Sequence, residues 1–385
     1  MQAMDSAISP TLSQTAQIHP LAERIRAAAA DRTLLRIRGG GSKDFHGLAL
    51  QGEPLDTRSL RGIVSYEPSE LVVTAMAGTP LAELEAVLAA EGQCLAFEPP
   101  HFNADATVGG MVAAGLSGPA RASVGAVRDF VLGLELVNGR GEVLRYGGQV
   151  MKNVAGYDVS RLMAGSWGVL GLITEVSLKV LPVAPAEATL RFACTQEQAL
   201  RWLNQWGGQP LPLNASCWLR EPGQSEGTLY LRLRGARAAV QAACQHLGGE
   251  VLDNVRTASD WSLCREQALP WFTDRAAGHC LWRLSVPQAA PVLALPRECS
   301  GPFVEWHGAQ RWVQAPRSLG PQLQSLAASV GGSATLFRAE TEGEISSAPI
   351  FEVEKQNAMA VLHARLKQAF DPSGIFNRGR LTGGW

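Results

Sequence analysis

The sequence predicts an α+β protein with two domains and a C-terminal helix. At 385 residues the chain is longer than one hydrophobic core usually supports, so two domains are expected. Strand and helix patterns alternate up to residue 181, and Pro182 with the VAPAEA run after it marks a boundary. We therefore expect a flexible N-terminus over 1–19, a first domain over 20–183, a second over 184–350, and a helix and tail over 351–385 that return to the first domain.

The composition is that of a folded protein with no strong charge bias. Hydrophobic residues make up 46% of the chain and charged residues 18%, and the formal net charge is −1. The chain has no lysine- or arginine-rich block. This removes the electrostatic reason to expect nucleic acid or an anionic membrane surface as a direct partner.

Seven cysteines are scattered singly, without a CxxC pair. This pattern favours a reducing compartment and argues against an iron–sulfur cluster held within the chain. The N-terminus lacks the pattern of a secretory signal, and no uncharged apolar segment is long enough to span a bilayer. We expect a cytoplasmic protein whose association with the inner face of the plasma membrane is at most peripheral, through a partner.

Local signals in the first domain agree with one another. Pro20–Ala30 is a predicted helix that leads into a strand over Thr33–Ile37. Thr79 is the predicted cap of a helix whose first residue is Pro80, with three leucines on one face. Further predicted elements are strands Ile63–Tyr66 and Leu71–Ala77, helix Thr107–Gly115, hairpin strands Phe130–Val137 and Glu142–Tyr146, helix Tyr157–Met163 and strand Gly171–Val180.

The second domain opens with a β-α-β-β-α-β order. This is the split βαβ arrangement of a ferredoxin-like fold, so we expect a small α+β cap domain. The predicted elements are Thr189–Ala193, Gln196–Trp206, Ala215–Leu219, Thr228–Arg234, Ala236–Leu247 and Glu250–Leu252. The segment from Asp253 to Ala348 stays unassigned apart from tryptophan-rich strands, and a long helix is predicted over Phe351–Phe370.

Two glycine-rich loops could carry chemistry. In Arg38-Gly-Gly-Gly-Ser-Lys43, consecutive backbone N–H groups can form a nest for phosphate oxygens. The alternative is a plain strand-to-helix connection, which three glycines alone favour. The stretch from Glu98 to Asp129 contains Thr107, which can cap a helix toward a pyrophosphate, and its alternative is a glycine-rich helix packed on a sheet. Two further islands of polar and glycine residues, 152–158 and 165–174, could contact the same pyrophosphate-containing ligand.

Taken in order, the motifs resemble a known family. GGGSK, EPPH, ATVGGMVAAGLSGP, SVGAVRDFVLG, MKNVAGYDVSRLMAGSWGVLG and DPSGIFN together are similar to the vanillyl-alcohol-oxidase-type (PCMH-type) FAD-binding family. Within that family they are most like the FAD-binding E subunits of bacterial glycolate oxidases. The resemblance runs from about Leu21 to Gly379 and is strongest from Arg38 to Leu181.

The resemblance implies a two-lobed FAD-binding domain with the pyrophosphate between Gly39–Ser42 and the helix start at Thr107–Gly110. It places Arg128, Asp129, Gly168 and Ile173 along the adenine and ribose, and Glu98 and His101 toward the isoalloxazine. The full set of predicted cofactor contacts is Arg38, Gly39, Gly40, Gly41, Ser42, Lys43, Glu98, Pro99, His101, Thr107, Val108, Gly109, Gly110, Gly115, Ser117, Gly118, Arg121, Ser123, Arg128, Asp129, Gly168, Gly171, Ile173 and Asn377.

Departures from the family pattern carry predictions too. Members with covalent flavin have His in the first glycine loop or Cys in the second, and this chain has neither, so non-covalent FAD is expected. Relatives that oxidise 2-hydroxy acids carry a histidine cluster in the cap, whereas His246, His279 and His307 are isolated here. No metal site is predicted, and no catalytic residue is assigned.

The resemblance implies a flavoprotein subunit of a multisubunit glycolate oxidase. Glycolate would be oxidised to glyoxylate, and electrons would pass through flavin to an iron–sulfur F-type subunit and a non-oxygen acceptor. A catalytic FAD-binding D-type subunit is the other expected partner. Two alternatives stay open: a free-standing FAD-dependent 2-hydroxyacid or alditol oxidoreductase, and a flavin-binding scaffold subunit without its own substrate site.

Overall fold

The computed structural model describes residues 12–49, 51–148, 158–220, 223–224, 226–340 and 358–382. Two sheets organise these residues: a five-stranded sheet in the N-terminal domain and an eight-stranded sheet in the domain that follows, here called the cap domain. The mixture of helix and sheet agrees with the predicted α+β class.

The N-terminal domain packs short helices against its five-stranded sheet, whose strand order is β3-β4-β8-β6-β7. Its neighbouring strands are antiparallel. The elements are α1 Leu12–Asp31, β1 Leu35–Arg38, β2 Glu53–Asp56, β3 Ile63–Glu67, β4 Val72–Met76, α2 Leu81–Ala90, β5 Gln93–Cys94, α3 Val108–Ala114, α4 Arg121–Val124, α5 Val127–Phe130, β6 Val131–Val137, β7 Val143–Gly147, α6 Val159–Met163, β8 Leu172–Lys179 and β9 Leu181–Pro182.

Helix α2 follows the sequence signals except at its first turn. Leu81, Leu84 and Leu88 are buried on one face as predicted, and each buried leucine contributes about 2 kcal/mol to folding. The predicted cap at Thr79 is wrong, because Pro80 occupies the N-cap position. The Thr79 hydroxyl instead donates to the carbonyl of Gly62 and accepts from its amide, which fixes the turn before β3.

A small lobe carries the first glycine loop. Parallel strands β1 and β2 pack with α1, and Phe376 from the C-terminal tail bridges to Leu35 of β1. Helix α1 begins at Leu12, earlier than the predicted start at Pro20, because Ile18 is buried in this lobe. Residues 12–19, which were predicted to be flexible, therefore belong to this helix, and residues 1–11 lie outside the described range.

The cap domain is larger than the predicted ferredoxin-like unit. Residues 186–251 do have the β-α-β-β-α-β order, and their strands lie in the order β13-β10-β12-β11. Strands β15-β16-β14-β17 then extend the same sheet beyond β11. The elements are β10 Ala186–Cys194, α7 Gln196–Gly207, β11 Leu213–Leu219, β12 Gly227–Gly235, α8 Arg237–Leu247, β13 Glu250–Val251, α9 Asn254–Glu266, α10 Pro270–Thr273, β14 His279–Ser285, β15 Ser300–Glu305, β16 Gln310–Pro316, α11 Gly320–Ala328 and β17 Ser333–Arg338.

The last helix, α12 Ala358–Phe370, returns the chain to the N-terminal domain. Buried Lys367 on this helix donates to the carbonyl of Val169 at 2.7 Å and pairs with Asp371 at 2.7 Å. The tail is thereby held beside the loop that precedes β8. Among the described helices, none has the length and apolar character needed to cross a bilayer.

Candidate functional site

A cleft of about 730 Å³, partly open to solvent, lies at the junction of the small lobe and the five-stranded sheet. Its walls are the loop after β1, the start of α3 and the loop before β8, and the C-terminal tail closes one end. The predicted cofactor contacts that line it are Arg38, Gly39, Gly40, Gly41, Ser42, Lys43, Thr107, Gly109, Gly110, Gly168, Gly171, Ile173 and Asn377.

The first glycine loop presents unused backbone donors to this cleft. Among the described residues, the amides of Gly39, Gly40, Gly41 and Ser42 donate to no backbone carbonyl, and no side-chain acceptor takes them. Folded proteins pair most of their half-buried backbone amides, so four consecutive free ones need a ligand or water. Such a run is a concave nest suited to phosphate oxygens.

The glycines of this loop are required for two different reasons. A Cβ on Gly40 would overlap the backbone carbonyl of Asp105, and one on Gly39 would overlap the Thr107 hydroxyl. Gly41 adopts a φ of +72°, in the left-handed region that side chains disfavour. Gly39 and Gly40 therefore let the second loop approach closely, while Gly41 allows the backbone to turn at the wall of the cleft.

The second loop uses the amides of the first three residues of its helix, Val108 to Gly110, within the protein. Thr107 caps α3 as predicted, its hydroxyl accepting from Gly110 at 3.2 Å. The amide of Val108 donates to Thr79, and the amide of Gly109 donates to Ala77. Val108 is itself buried in the core. This end of α3 therefore forms a flat wall of the cleft, and protein acceptors already use its donors.

Lys43 places a buried ammonium at the end of the first loop. Its Nζ donates to the Ser42 hydroxyl at 3.0 Å and to the His101 carbonyl at 3.3 Å, which are both neutral acceptors. Burial lowers the pKa of Lys43 to about 8, and the nearby charge of Glu266 opposes this shift. Arg38, by contrast, forms an exposed ion pair with Asp44. Among the described residues, no carboxylate forms an ion pair with Lys43, so its ammonium is available to pair with an anionic ligand.

Arg380 is a lining residue that sequence reasoning did not assign to the site. Its guanidinium donates to the carbonyl of Lys43 at 2.7 Å and lies 5.2 Å from the centre of the Trp167 ring. Burial lowers its pKa to about 10, which leaves it charged at neutral pH. Arg380 follows the DPSGIFN motif by three residues, but its partner Lys43 lies 337 positions away in the chain, so nothing in the sequence pointed to the contact.

Asn377 joins two walls of the cleft. Its side-chain oxygen accepts from the Ile37 amide at 2.8 Å, and its side-chain nitrogen donates to the Trp167 carbonyl at 2.7 Å. Gly168 follows at φ +74° directly against the Asn377 amide group. The tail thus fixes the distance between the first glycine loop and the loop before β8.

Glu98, Pro99 and His101 do not line the cleft. Glu98 forms ion pairs with Arg232 at 2.6 Å and Arg234 at 3.1 Å, both on cap strand β12. Burial opposes ionisation of Glu98, but the two arginines outweigh it and lower its pKa. The Nε2 atom of His101 lies 3.0 Å from a carboxylate oxygen of Glu85. In this arrangement Glu98 joins the two domains.

The stretch from Gly115 to Asp129 lies mostly along the boundary with the cap. Gly115 ends α3 with a φ of +65°. Ser117 and Gly118 line a second, smaller cavity, and Arg121 stacks on Trp306 of the cap. Ser123 shares a hydrogen bond of 2.9 Å with His307, whereas Arg128 and Asp129 are exposed, with Asp129 accepting from the Ala126 amide.

Parts of the prediction lie beyond what the structure describes. Residues 152–157 of the Lys152–Asp158 island are outside the described residues, as is the start of the helix predicted from Phe351. Within the described ranges, no group of three or more His, Cys, Asp or Glu side chains is arranged to hold a metal ion.

The arrangement fits a flavin dinucleotide. Four free amides with a neighbouring buried ammonium suit a pyrophosphate, and the glycines in the cleft walls let a ligand approach the backbone closely. The family model described as "FAD binding domain" matches residues 14–147. The chain is thus a PCMH-type flavoprotein that uses FAD.

The relatives narrow this class. The chain is 44% identical to glycolate oxidase subunit GlcE of Escherichia coli K12, over 94% of this chain and 96% of that protein. It is 34% identical to glycolate oxidase subunit GlcD of Bacillus subtilis, over 34% of this chain and 28% of that protein. It therefore belongs to the GlcE family of glycolate oxidase subunits.

A solved structure supports the fold independently. An alkyldihydroxyacetonephosphate synthase aligns with a TM-score of 0.63 at 14% identity, covering 93% of this chain and 74% of that one. At this identity the likeness concerns the fold alone.

Proposed function

We propose that this chain is the FAD-carrying subunit of a multisubunit glycolate oxidase that converts glycolate to glyoxylate. The observation that carries the proposal is the 44% identity to GlcE of Escherichia coli K12 over nearly the full length of both proteins. The free amides of Gly39–Ser42 beside Lys43 support the cofactor half of it.

Bound FAD supplies an acceptor for two electrons from an alcohol carbon. The chain's own part is to hold and shield that group. Gly39–Ser42 would bind the pyrophosphate, and Lys43 would add its positive charge. Asn377 would hold the loop before β8 at a fixed distance from the first glycine loop. Since the first glycine loop contains no histidine and the stretch from Glu98 to Asp129 contains no cysteine, the FAD would be held without a covalent bond.

The proposed partners are a catalytic FAD-binding D-type subunit and an iron–sulfur F-type subunit that takes electrons onward to a non-oxygen acceptor. The similarity to GlcD of Bacillus subtilis over a third of this chain supports a complex whose two flavin subunits share one kind of domain. The complex would work in the cytoplasm or peripherally at the inner face of the plasma membrane.

Co-expression with subunit omission tests the proposal. The chain would be produced with candidate D-type and F-type partners, leaving out each subunit in turn, and assayed for flavin content and glycolate–dye reductase activity. We expect this chain alone to hold FAD without turning over glycolate, and the complex to lose activity when it is omitted. Full activity without this chain would refute the proposal. Glycolate turnover by the chain alone would favour the free-standing oxidoreductase.

A further inference from the structure

One carboxylate of the cap domain reaches across to the loop beside the FAD cleft. Glu266, the last residue of α9, accepts from the backbone amides of His101 at 3.0 Å and Phe102 at 2.7 Å. Both amides belong to the N-terminal domain, so the contact crosses the domain boundary. Arg265 donates to the other oxygen of the same carboxylate at 2.7 Å. The carboxylate is therefore held through both of its oxygens.

Glu266 stabilises a turn that has an unfavourable backbone conformation. Two consecutive amides that converge on one carboxylate form an anion nest, and hydrogen bonds to an ionised acceptor are strong. Phe102 has a φ of +61°, in the left-handed region that side chains disfavour. An acidic residue at the last position of a helix is unfavourable for the helix dipole, so the stability of α9 does not explain Glu266. Its contacts with the turn do.

The same turn provides an acceptor for Lys43. The carbonyl of His101 accepts from the Lys43 Nζ at 3.3 Å, while the amide of His101 donates to Glu266. Hydrogen bonds thus run without a break from the cap domain to the end of the first glycine loop. Because Lys43 lines the FAD cleft, the position of its ammonium there depends on the turn that Glu266 holds.

Glu266 also acts on Lys43 through its charge. Burial lowers the pKa of Lys43 to about 8, the negative charge of Glu266 raises it, and the positive charge of Arg338 on β17 lowers it further. The Arg338 guanidinium lies 4.7 Å from the centre of the Phe102 ring, on the same turn. The two cap residues therefore have opposite effects on the protonation of one amine.

Other titratable groups around this amine have neighbours of their own. Arg380 of the C-terminal tail donates to the backbone carbonyl of the same lysine at 2.7 Å. Asp44 forms an exposed ion pair with Arg38. The Nε2 atom of His101 lies 3.0 Å from a carboxylate oxygen of Glu85. The carboxylate that favours the protonated amine is thus that of Glu266.

We propose that Glu266 is a positioning residue through which the cap domain sets both the place and the charge of the Lys43 ammonium at the FAD phosphates. The inference rests on the proposed function, because it needs Lys43 to meet a phosphate of bound FAD. It makes the affinity for the cofactor depend on a residue that lies outside the FAD cleft.

A carboxylate that only joins the two domains would behave differently. Its removal would change FAD affinity by the same factor at every pH. Direct repulsion between Glu266 and the phosphates would also act equally at every pH, because neither group titrates near neutrality. An effect that passes through Lys43 instead moves the pH at which FAD affinity declines.

The test is a set of flavin fluorescence titrations of the full-length chain, after removal of its FAD, from pH 6 to pH 9.5. Wild-type affinity should decline as pH rises through the Lys43 pKa of about 8. Glu266→Gln keeps the shape of the side chain and removes its charge, so the midpoint should fall by about one pH unit. With about tenfold weaker binding by neutral Lys43, the variant should bind FAD about threefold more weakly at pH 8 and nearly equally at pH 6 and pH 9.5.

Three further variants serve as controls. Arg338→Gln removes the opposing charge and should move the midpoint upward. Glu250→Gln removes an exposed cap carboxylate paired with Arg191 and should leave the midpoint unchanged. Lys43→Met should bind with an affinity that does not decline over this pH range.

An unchanged midpoint in Glu266→Gln, or a change in affinity by one factor at every pH, would overturn the inference. If this variant does not fold, Glu266→Asp decides. It draws the carboxylate back by one methylene, so the midpoint should fall by about half a pH unit, and an unchanged midpoint contradicts the role. Absence of FAD binding by the wild type, or equal affinity of Lys43→Met at every pH, would refute the proposed phosphate site itself and the inference with it.

Discussion

The two glycine-rich stretches look alike in sequence and do different work in the fold. The first, Gly39–Ser42, leaves its amides free toward the cleft. The second begins at Glu98 and includes the start of α3. Its amides at Val108 and Gly109 donate to the carbonyls of Thr79 and Ala77, and the Glu98 carboxylate pairs with cap arginines. A high density of glycines shows only that the backbone comes close to something. Whether the backbone amides are already bonded to protein acceptors decides if that neighbour is the protein itself or a ligand.

The largest effect is expected where the second stretch joins the domains. Glu98→Ala leaves the buried Arg232 without a carboxylate, whereas the half-buried Arg234 keeps Glu187, and a broken buried pair costs about 3–5 kcal/mol. Urea unfolding followed by tryptophan fluorescence measures the change. Glu53→Ala, which removes an exposed partner of Arg24, is the control and should change stability by less than about 1 kcal/mol. Equal effects of the two substitutions would contradict the domain-joining role.

The Glu98 contribution also has a defined pH dependence. Because its folded pKa is lowered, its stabilisation is present above the unfolded pKa near 4.5 and is lost as pH falls through the folded value. The stability difference between wild type and Glu98→Gln should therefore be largest at neutral pH and shrink below about pH 4.5. A difference that stays constant down to pH 3 would argue against ionisation of Glu98 in the fold.

Gly109→Ala sharpens the comparison through packing. The added Cβ would lie 2.6 Å from the Cβ of Ala77, which is overpacking and should cost about 1–3 kcal/mol of stability. Because the Gly109 amide already donates to the carbonyl of Ala77, the folded fraction should keep its affinity for FAD. Gly207→Ala, at the end of α7 with open space around it, is the packing control and should not lower stability. If FAD affinity falls by more than the unfolded fraction of Gly109→Ala explains, the second loop contacts the ligand directly.

Lys43→Met tests the first loop. Without FAD the variant should be as stable as the wild type or more so, since the buried ammonium has only neutral hydrogen-bond acceptors. With FAD we expect about tenfold weaker binding, or about 1.4 kcal/mol. The lowered folded pKa of about 8 disfavours folding below pH 8, so wild-type apoprotein stability should rise between about pH 8 and 10.4. The variant should lack this rise, and flavin fluorescence titration gives the affinity.

Thr107→Ala should have the smallest effect. It removes the side-chain cap of α3 and should cost about 1 kcal/mol, while Thr107→Ser keeps the hydroxyl and should cost less. FAD affinity should be nearly unchanged in both variants, which thermal unfolding and fluorescence titration can establish together. A large loss of affinity in Thr107→Ala alone would show that its hydroxyl meets the ligand.

Local features were predictable from sequence, and distant pairings were not. Thr107 and Gly115 mark the ends of α3 as their residue types indicate. The role of Glu98 was not predictable, because Arg232 lies 134 positions away. Strands β14 to β17 were missed as an extension of the cap sheet, since only the pairing of β11 with β15 joins the two halves. A single sequence carries no direct signal for such contacts.

The central claim is that the first glycine loop, and not the start of α3, holds the FAD pyrophosphate. The most direct measurement is a crystal structure of this chain with FAD bound. We predict pyrophosphate oxygens within about 2.7–3.2 Å of amides of Gly39–Ser42, with no covalent bond to the flavin. Phosphates bonded instead to the amides of Val108–Gly110, with the first loop displaced, would contradict the account.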